Sequence, residues 1–121
     1  MVARSSSNRT QRMEAQIQRV LATMLSREVK DPRIGAVTVT QVTLAADMSH
    51  ARVLVVPFAA ESGARPEFLA GLQAAAGFLR GEVGRRVGLR HAPRLLFELD
   101  ESIDRAARLT ALIDAANKPA P

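Results

Sequence analysis

Cysteine, tryptophan and tyrosine are missing from the 121-residue chain, and four phenylalanines are its entire aromatic content. Without cysteine there are no disulfides, no thiolate metal ligands and no cysteine nucleophile, a composition that suits a reducing cytoplasm. With aromatics at 3% and hydrophobic residues at 47%, a core has to be built from aliphatic side chains. No apolar run nears the ~18–20 residues of a membrane span. The first ten residues, MVARSSSNRT, also lack the apolar centre of a secretory signal. The expectation is a soluble cytoplasmic protein that does not engage membranes, and the length suits one domain.

What the chain has in excess is positive charge, 17 Lys+Arg against 12 Asp+Glu for a net +5. Residues 1–30 hold Arg4, Arg9, Arg12, Arg19, Arg27 and Lys30 against Glu14 and Glu28. Residues 78–94 hold Arg80, Arg85, Arg86, Arg90 and Arg94 against Glu82, and the remainder is net acidic. Positive charge confined to two segments is the footprint of a polyanion partner. Two solvated faces that serve only solubility would read the same way.

Ser7 or Asn8 is placed to cap a first helix. Met13, Ile17, Val20, Leu21, Met24 and Leu25 then mark one apolar face, with the arginines on another stripe. Asp31-Pro32 is the expected stop. Ala36 to Thr40 alternates as a strand, and the phase slips before Val42 and Leu44, which predicts a bulge near Gln41. Ala51 to Val56 reads as a second strand, close enough to the first for an antiparallel hairpin. After a loop at Glu61–Arg65, Pro66 and Glu67 suit a helix start, with Phe68, Leu69, Leu72, Ala75, Ala76 and Leu79 as its buried face. Leu95, Phe97 and Leu99 mark a third strand, and Ile103 to Ile113 continue at helical spacing before Pro119 and Pro121. These elements make an α+β layer structure, three strands with helices on one face.

Residues 72–91, LQAAAGFLRGEVGRRVGLRH, combine a helical stripe with Gly77, Gly81, Gly84 and Gly88. Each internal glycine costs about 1 kcal/mol against alanine. Ala75-Ala76-Gly77 is therefore expected to kink the chain, with a second helix running from about Phe78 to Leu89. Gly81-Glu82-Val83-Gly84 formally matches the phosphate-clamping GxxG of KH domains. Glu82 would set a negative charge beside the phosphate, and Val83 belongs to the apolar stripe, so the match is read as coincidence.

Several stretches together are more specific. Asp31-Pro32-Arg33-Ile34, Val37-Thr38-Val39-Thr40-Gln41-Val42, Asp47 with Ala51-Arg52-Val53, Ala75 to Arg80, Leu89-Arg90, Pro93, Phe97 and Asp100-Glu101-Ser102 occur in order and at set spacing. From about Asn8 to Ser102 the chain thereby resembles the ribosome-binding factor A family of bacterial small-subunit assembly factors. The resemblance implies a type II KH-like domain, ordered α-β-β-α-kink-α-β, in which an Ala-x-Gly kink (Ala75, Gly77) replaces the GxxG loop. It also implies binding to the free 30S subunit and its 16S rRNA late in maturation, promotion of 16S 5′-end processing, and importance in the cold. The small polar residues near the start read as a flexible N-terminus over 1–8, with 9–100 the RNA-binding domain and 101–121, to which the resemblance carries nothing over, a helical or partly disordered tail.

The candidate RNA-contacting residues are Arg9, Arg12, Arg19, Arg80, Arg85, Arg86, Arg90 and Arg94, aimed at one common anionic surface. With so few aromatics, base stacking is not expected as the main mode. An enzyme finds little support. His50 and His91 are the only histidines, and Asp31, Asp47, Asp100, Glu101 and Asp104 show no ligand or acid–base spacing. Asp31 and Asp47 read as turn formers, and Ser62-Gly63 lacks a nucleophile elbow. No cofactor, metal or small-molecule substrate is expected, and a monomer is the simplest state. The alternative is a general single-stranded nucleic-acid binder of KH type. For the phosphate-driven mode, titrating RNA binding against salt should give a log–log slope near −4, from about five neutralised phosphates.

Overall fold

Helix propensity and one apolar stripe start the chain's first element, α1 (Asn8–Arg27). The computed structural model describes residues 8–57 and 66–102. The expected N-terminal arm before Asn8, the loop at Glu61–Arg65 and the tail beyond Ser102 lie outside them. Ile17, Leu21, Met24 and Leu25 are buried, with Met13 and Val20 packed at the margin. The helix stops at Arg27 rather than at Asp31-Pro32, because the Glu28 and Val29 amides both turn back onto the Met24 carbonyl, at 2.8 and 3.0 Å. Asp31 then makes the expected turn, its carboxylate accepting from the Arg33 amide at 2.9 Å.

Strands β1 (Val37–Leu44) and β2 (His50–Pro57) pair antiparallel, with the register shift falling between Val39 and Gln41 as the phase slip predicts. The irregularity turns Val39, Val42 and Leu44 all toward the core. Thr40, the residue skipped in the register, is part-buried. The Thr40 hydroxyl donates to Asp100 Oδ2 at 2.6 Å. Strand β3 (Arg94–Leu99) joins β2 in parallel, giving the order β1-β2-β3. A parallel neighbour requires a crossover, and the helix α2 (Pro66–Val87) provides it.

Both helices cover one face of the sheet. Ala51, Val53 and Val55 from the central strand sit among Ile17, Leu21, Leu72, Leu79 and Val83 in a single aliphatic cluster. Helix side chains also occupy main-chain groups of the two outer strands, which would otherwise be open to pairing with another sheet. Glu14, buried, accepts from the Leu44 amide at 2.8 Å, and Gln18, one turn on, donates to the Val39 carbonyl at 3.0 Å. Gln73 of α2 donates to Leu95 O at 3.2 Å.

The expected division of α2 at Ala75-Ala76-Gly77 is not found. Helix runs unbroken from Pro66 to Val87, so the described elements are α-β-β-α-β. Gly77 and Gly81 keep negative φ. The stripe Leu72, Ala76, Leu79, Val83 stays buried throughout, and tertiary packing of that kind outweighs local propensity. The glycine that does end a helix is Gly88, at φ 80°, with Leu89 N–H folded back onto Gly84 O at 2.8 Å. Gly84 is also favoured by a close contact, since a Cβ there would lie 3.0 Å from the Ala92 Cβ.

A Cβ added at Gly77 or Gly81 meets no neighbouring atom within 4 Å. Gly77→Ala and Gly81→Ala should therefore each raise the unfolding free energy by about 0.5–1 kcal/mol. Gly84→Ala should give no such gain, because it presses on Ala92. Urea denaturation of the three variants checks this.

Candidate nucleic-acid interface

The rotation of α1 on the core decides where its arginines go. With Ile17, Leu21 and Leu25 turned inward, Arg9, Arg12, Arg19 and Arg27 fall, together with Gln16 and Thr23, within about 80° of arc at ~100° per residue. All six are exposed. The arc lies on the outer surface of the helix layer and leans toward α2, where Gln16, Arg19 and Val20 line a shallow groove of about 250 Å³ with Arg86 and Val87. None of these four arginines has a carboxylate partner among the described residues.

Arg86 differs. Its two terminal nitrogens donate to the two Glu28 carboxylate oxygens at 2.8 and 2.6 Å, and its Nε donates to Glu82 Oε1 at 3.1 Å. Arg85 bonds the same Glu82 oxygen. Two arginines and two glutamates thus cancel, and the fork of Arg86 ties the end of α1 to the end of α2. The Arg86 hydrogen bonds hold the Glu28 carboxyl below its usual range, and those of Arg85 with Arg86 do the same to Glu82. The same contacts raise the Arg86 guanidinium further above its ordinary value.

Arg80 lies on the other flank of α2. Its Nε donates to Ala92 O at 3.0 Å, against the segment that leads into β3. Arg90 and His91 are exposed on that segment. Arg94 opens β3 opposite His50 in the ladder, and both are exposed while Leu95 and Ala51 beside them are buried. Pleating therefore points Arg94 and His50 to the solvent side of the sheet, away from the helices. Arg52 on that side is paired with Glu98 at 2.9 Å.

The arginines expected to share one surface thus separate. Arg9, Arg12 and Arg19 stand together, joined by Arg27. Arg85 and Arg86 are spent on Glu82 and Glu28. Arg80 and Arg90 lie on the flank of α2 and on the segment that leads into β3, while Arg94 points from the opposite face of the sheet. The separation follows from helix geometry, since residues 80 and 86 lie about 120° apart on either side of the buried stripe. Sequence reasoning counted Glu28 and Glu82 only as charges. The i, i+3 and i, i+4 spacing of Glu82 to Arg85 and Arg86 was the available signal, whereas Glu28 needs the fold.

One of the few aromatics, Phe78, is 57% exposed on the outward side of α2, a ring that the expectation against base stacking does not count. Gly81-Glu82-Val83-Gly84 lies inside α2 with Val83 fully buried, so it forms no loop. Ala75 is half-buried and Gly77 exposed within the same helix. Asp47 closes the β1–β2 turn by accepting from the Ser49 amide at 3.0 Å. Among the described residues no three His, Asp or Glu side chains converge as metal ligands, and no helix is long and apolar enough to cross a membrane.

The profile of the family described as ribosome-binding factor A matches residues 9–113. Proteins called ribosome-binding factor A are similar over most of the chain. That of Azoarcus sp. (strain BH72) is 45% identical over 109 residues, 90% of this chain and 86% of its own length. That of Pseudomonas entomophila (strain L48) is 46% identical over 110 residues, 90% and 83% respectively. The crystal structure of ribosome-binding factor A from Thermus thermophilus superposes with a TM-score of 0.64 at 36% identity, covering 74% of this chain and 94% of that one. A homology model of the Thermus thermophilus protein, fitted into a cryo-EM map of its complex with 30S, gives 0.63 at 33% identity, covering 74% and 93%.

The charge-paired junction of the two helices has a pH signature. Lowered carboxyl values mean that the folded state favours the ionised glutamates, so their contribution is present above the ordinary value of 4.5 and fades as pH falls below it. Arg86→Gln should lower the melting temperature at pH 7, and its deficit against the parent should shrink between pH 4.5 and pH 3. Thermal denaturation across that range checks the sign.

Proposed function

The chain belongs to the ribosome-binding factor A family, and on that basis we propose that it binds the small ribosomal subunit through 16S rRNA during late maturation. In this reading it promotes processing of the 16S 5′ end, acts in the cytoplasm as a monomer, and matters most in the cold. It is a binding factor and not a catalyst, working with neither metal nor cofactor. The observation that carries the mechanism is the arc of Arg9, Arg12, Arg19 and Arg27, an exposed row of guanidiniums with no carboxylate partner among the described residues.

Such a row meets successive phosphates of structured RNA, which is recognised by backbone shape more than by base edges. The burial of the opposite side of α1 holds the row straight. Arg80, Arg90 and Arg94 add a further set of phosphate contacts. Arg86 serves as a positioning residue, and Arg85 shares its carboxylate. The fit of the Thermus thermophilus protein into a 30S complex supports the choice of partner.

One observation favours a general single-stranded binder instead. Phe78 is an exposed ring on α2, and a stacked base is worth about 1–3 kcal/mol. Co-sedimentation with immature small subunits, mature ribosomes and short single-stranded oligonucleotides separates the two. The expected result is salt-sensitive association with immature subunits and weak oligonucleotide binding. Arg9→Gln, Arg12→Gln and Arg19→Gln together should flatten the log–log salt slope by about 2–3. Tight oligonucleotide binding that Phe78→Ala weakens tenfold or more would overturn the assembly-factor reading.

A further inference from the structure

The cations without carboxylate partners among the described residues do not form one surface. The α1 arc faces outward from the helix layer, while Arg94 projects from the opposite side of the sheet, with Arg80 and Arg90 on the flank of α2 and the segment that leads into β3. Between the α1 arc and Arg94 lie a helix of about 10 Å diameter and the sheet beneath it, more than the Debye length of about 8 Å at physiological salt. The charges that flank this division are internally balanced, Glu28 and Glu82 against Arg85 and Arg86, and Glu98 against Arg52. Asp47 is the carboxylate close to His50, and it is engaged by Ser49. Each basic set therefore attracts a polyanion independently of the other.

We propose that one copy of this chain holds two RNA segments at once, one along the α1 arc and one at the α2–β3 corner, and so bridges them. The inference rests on the reading of the protein as an rRNA binder and goes beyond it in the number of segments engaged. The corner is built for a backbone contact. Arg80 is anchored through Nε to the Ala92 carbonyl, which leaves its terminal nitrogens for an outside acceptor. Buried Pro93 and Ala92 packed on Gly84 hold Arg90, His91 and Arg94 within a short span of chain. A second RNA segment fits this corner by charge, and guanidiniums match phosphate oxygens in pairs.

The test uses the full chain with two short RNA hairpins, one carrying a donor dye and one an acceptor, read by energy transfer and by native mass spectrometry. The expected result is a complex of one protein with two hairpins. Arg90→Gln with Arg94→Gln should reduce it to one hairpin, abolish the energy transfer, and lower the overall salt slope by about 2. Both side chains are exposed, so stability should be unchanged, which a melting curve checks. Glutamine at Arg9, Arg12 and Arg19 should likewise leave one hairpin, bound through the other surface. Saturation of the parent protein at a single hairpin would overturn the bridging proposal while leaving the rRNA-binding reading in place. An unchanged salt slope in the Arg90/Arg94 variant would overturn it as well. Absence of salt-dependent binding to any RNA would instead strike the reading on which it rests.

Discussion

The contact between two helices and one face of a three-stranded sheet governs everything else in this molecule. Ile17 and Leu21 from α1, Leu72, Leu79 and Val83 from α2, and Val53 and Val55 from the central strand are all excluded from solvent. At about 1.5–3 kcal/mol for each large aliphatic side chain, this seam sets the rotation of both helices. A turn of α1 by a single residue, about 100°, would bring arginines toward the sheet and expose Ile17. The position of every surface charge is thus a consequence of aliphatic packing.

Gross charge and usable charge differ. Of the arginines in the second basic segment, Arg85 and Arg86 answer Glu82 and Glu28. They contribute to holding the helix ends together and little to the outside field. Among the described residues, the arginines of the α1 arc and Arg80, Arg90 and Arg94 keep no carboxylate partner. Among the described residues the positive charge is thus divided between separate modest patches and not gathered on one strong surface. Polar groups inside the fold show the same economy. Glu14, Gln18 and Gln73 occupy main-chain groups of the outer strands, which discourages edge-to-edge pairing.

Much of the architecture was legible in the chain itself. The apolar steps of α1, the alternation of the strands and the phase slip at Gln41 all report local periodicity, and periodicity survives in sequence. Glycine propensity at Ala75-Gly77 predicts a break that the packing of the stripe from Leu72 to Val83 overrides. The exposure of Phe78 was missed for a related reason, since an aromatic residue beside a buried leucine carries no mark of which way it faces.

Composition and local pattern alone determined an aliphatic α+β domain with two basic segments, a bulged hairpin and a helix on either side of it, because these depend on neighbours close along the chain. Only the tertiary structure decided that Arg86 meets Glu28 across 58 positions, that β3 runs parallel to β2, and that Arg94 and Arg19 look out from opposite sides. Those outcomes depend on which surfaces are brought together when the core closes, and no spacing along the chain encodes them.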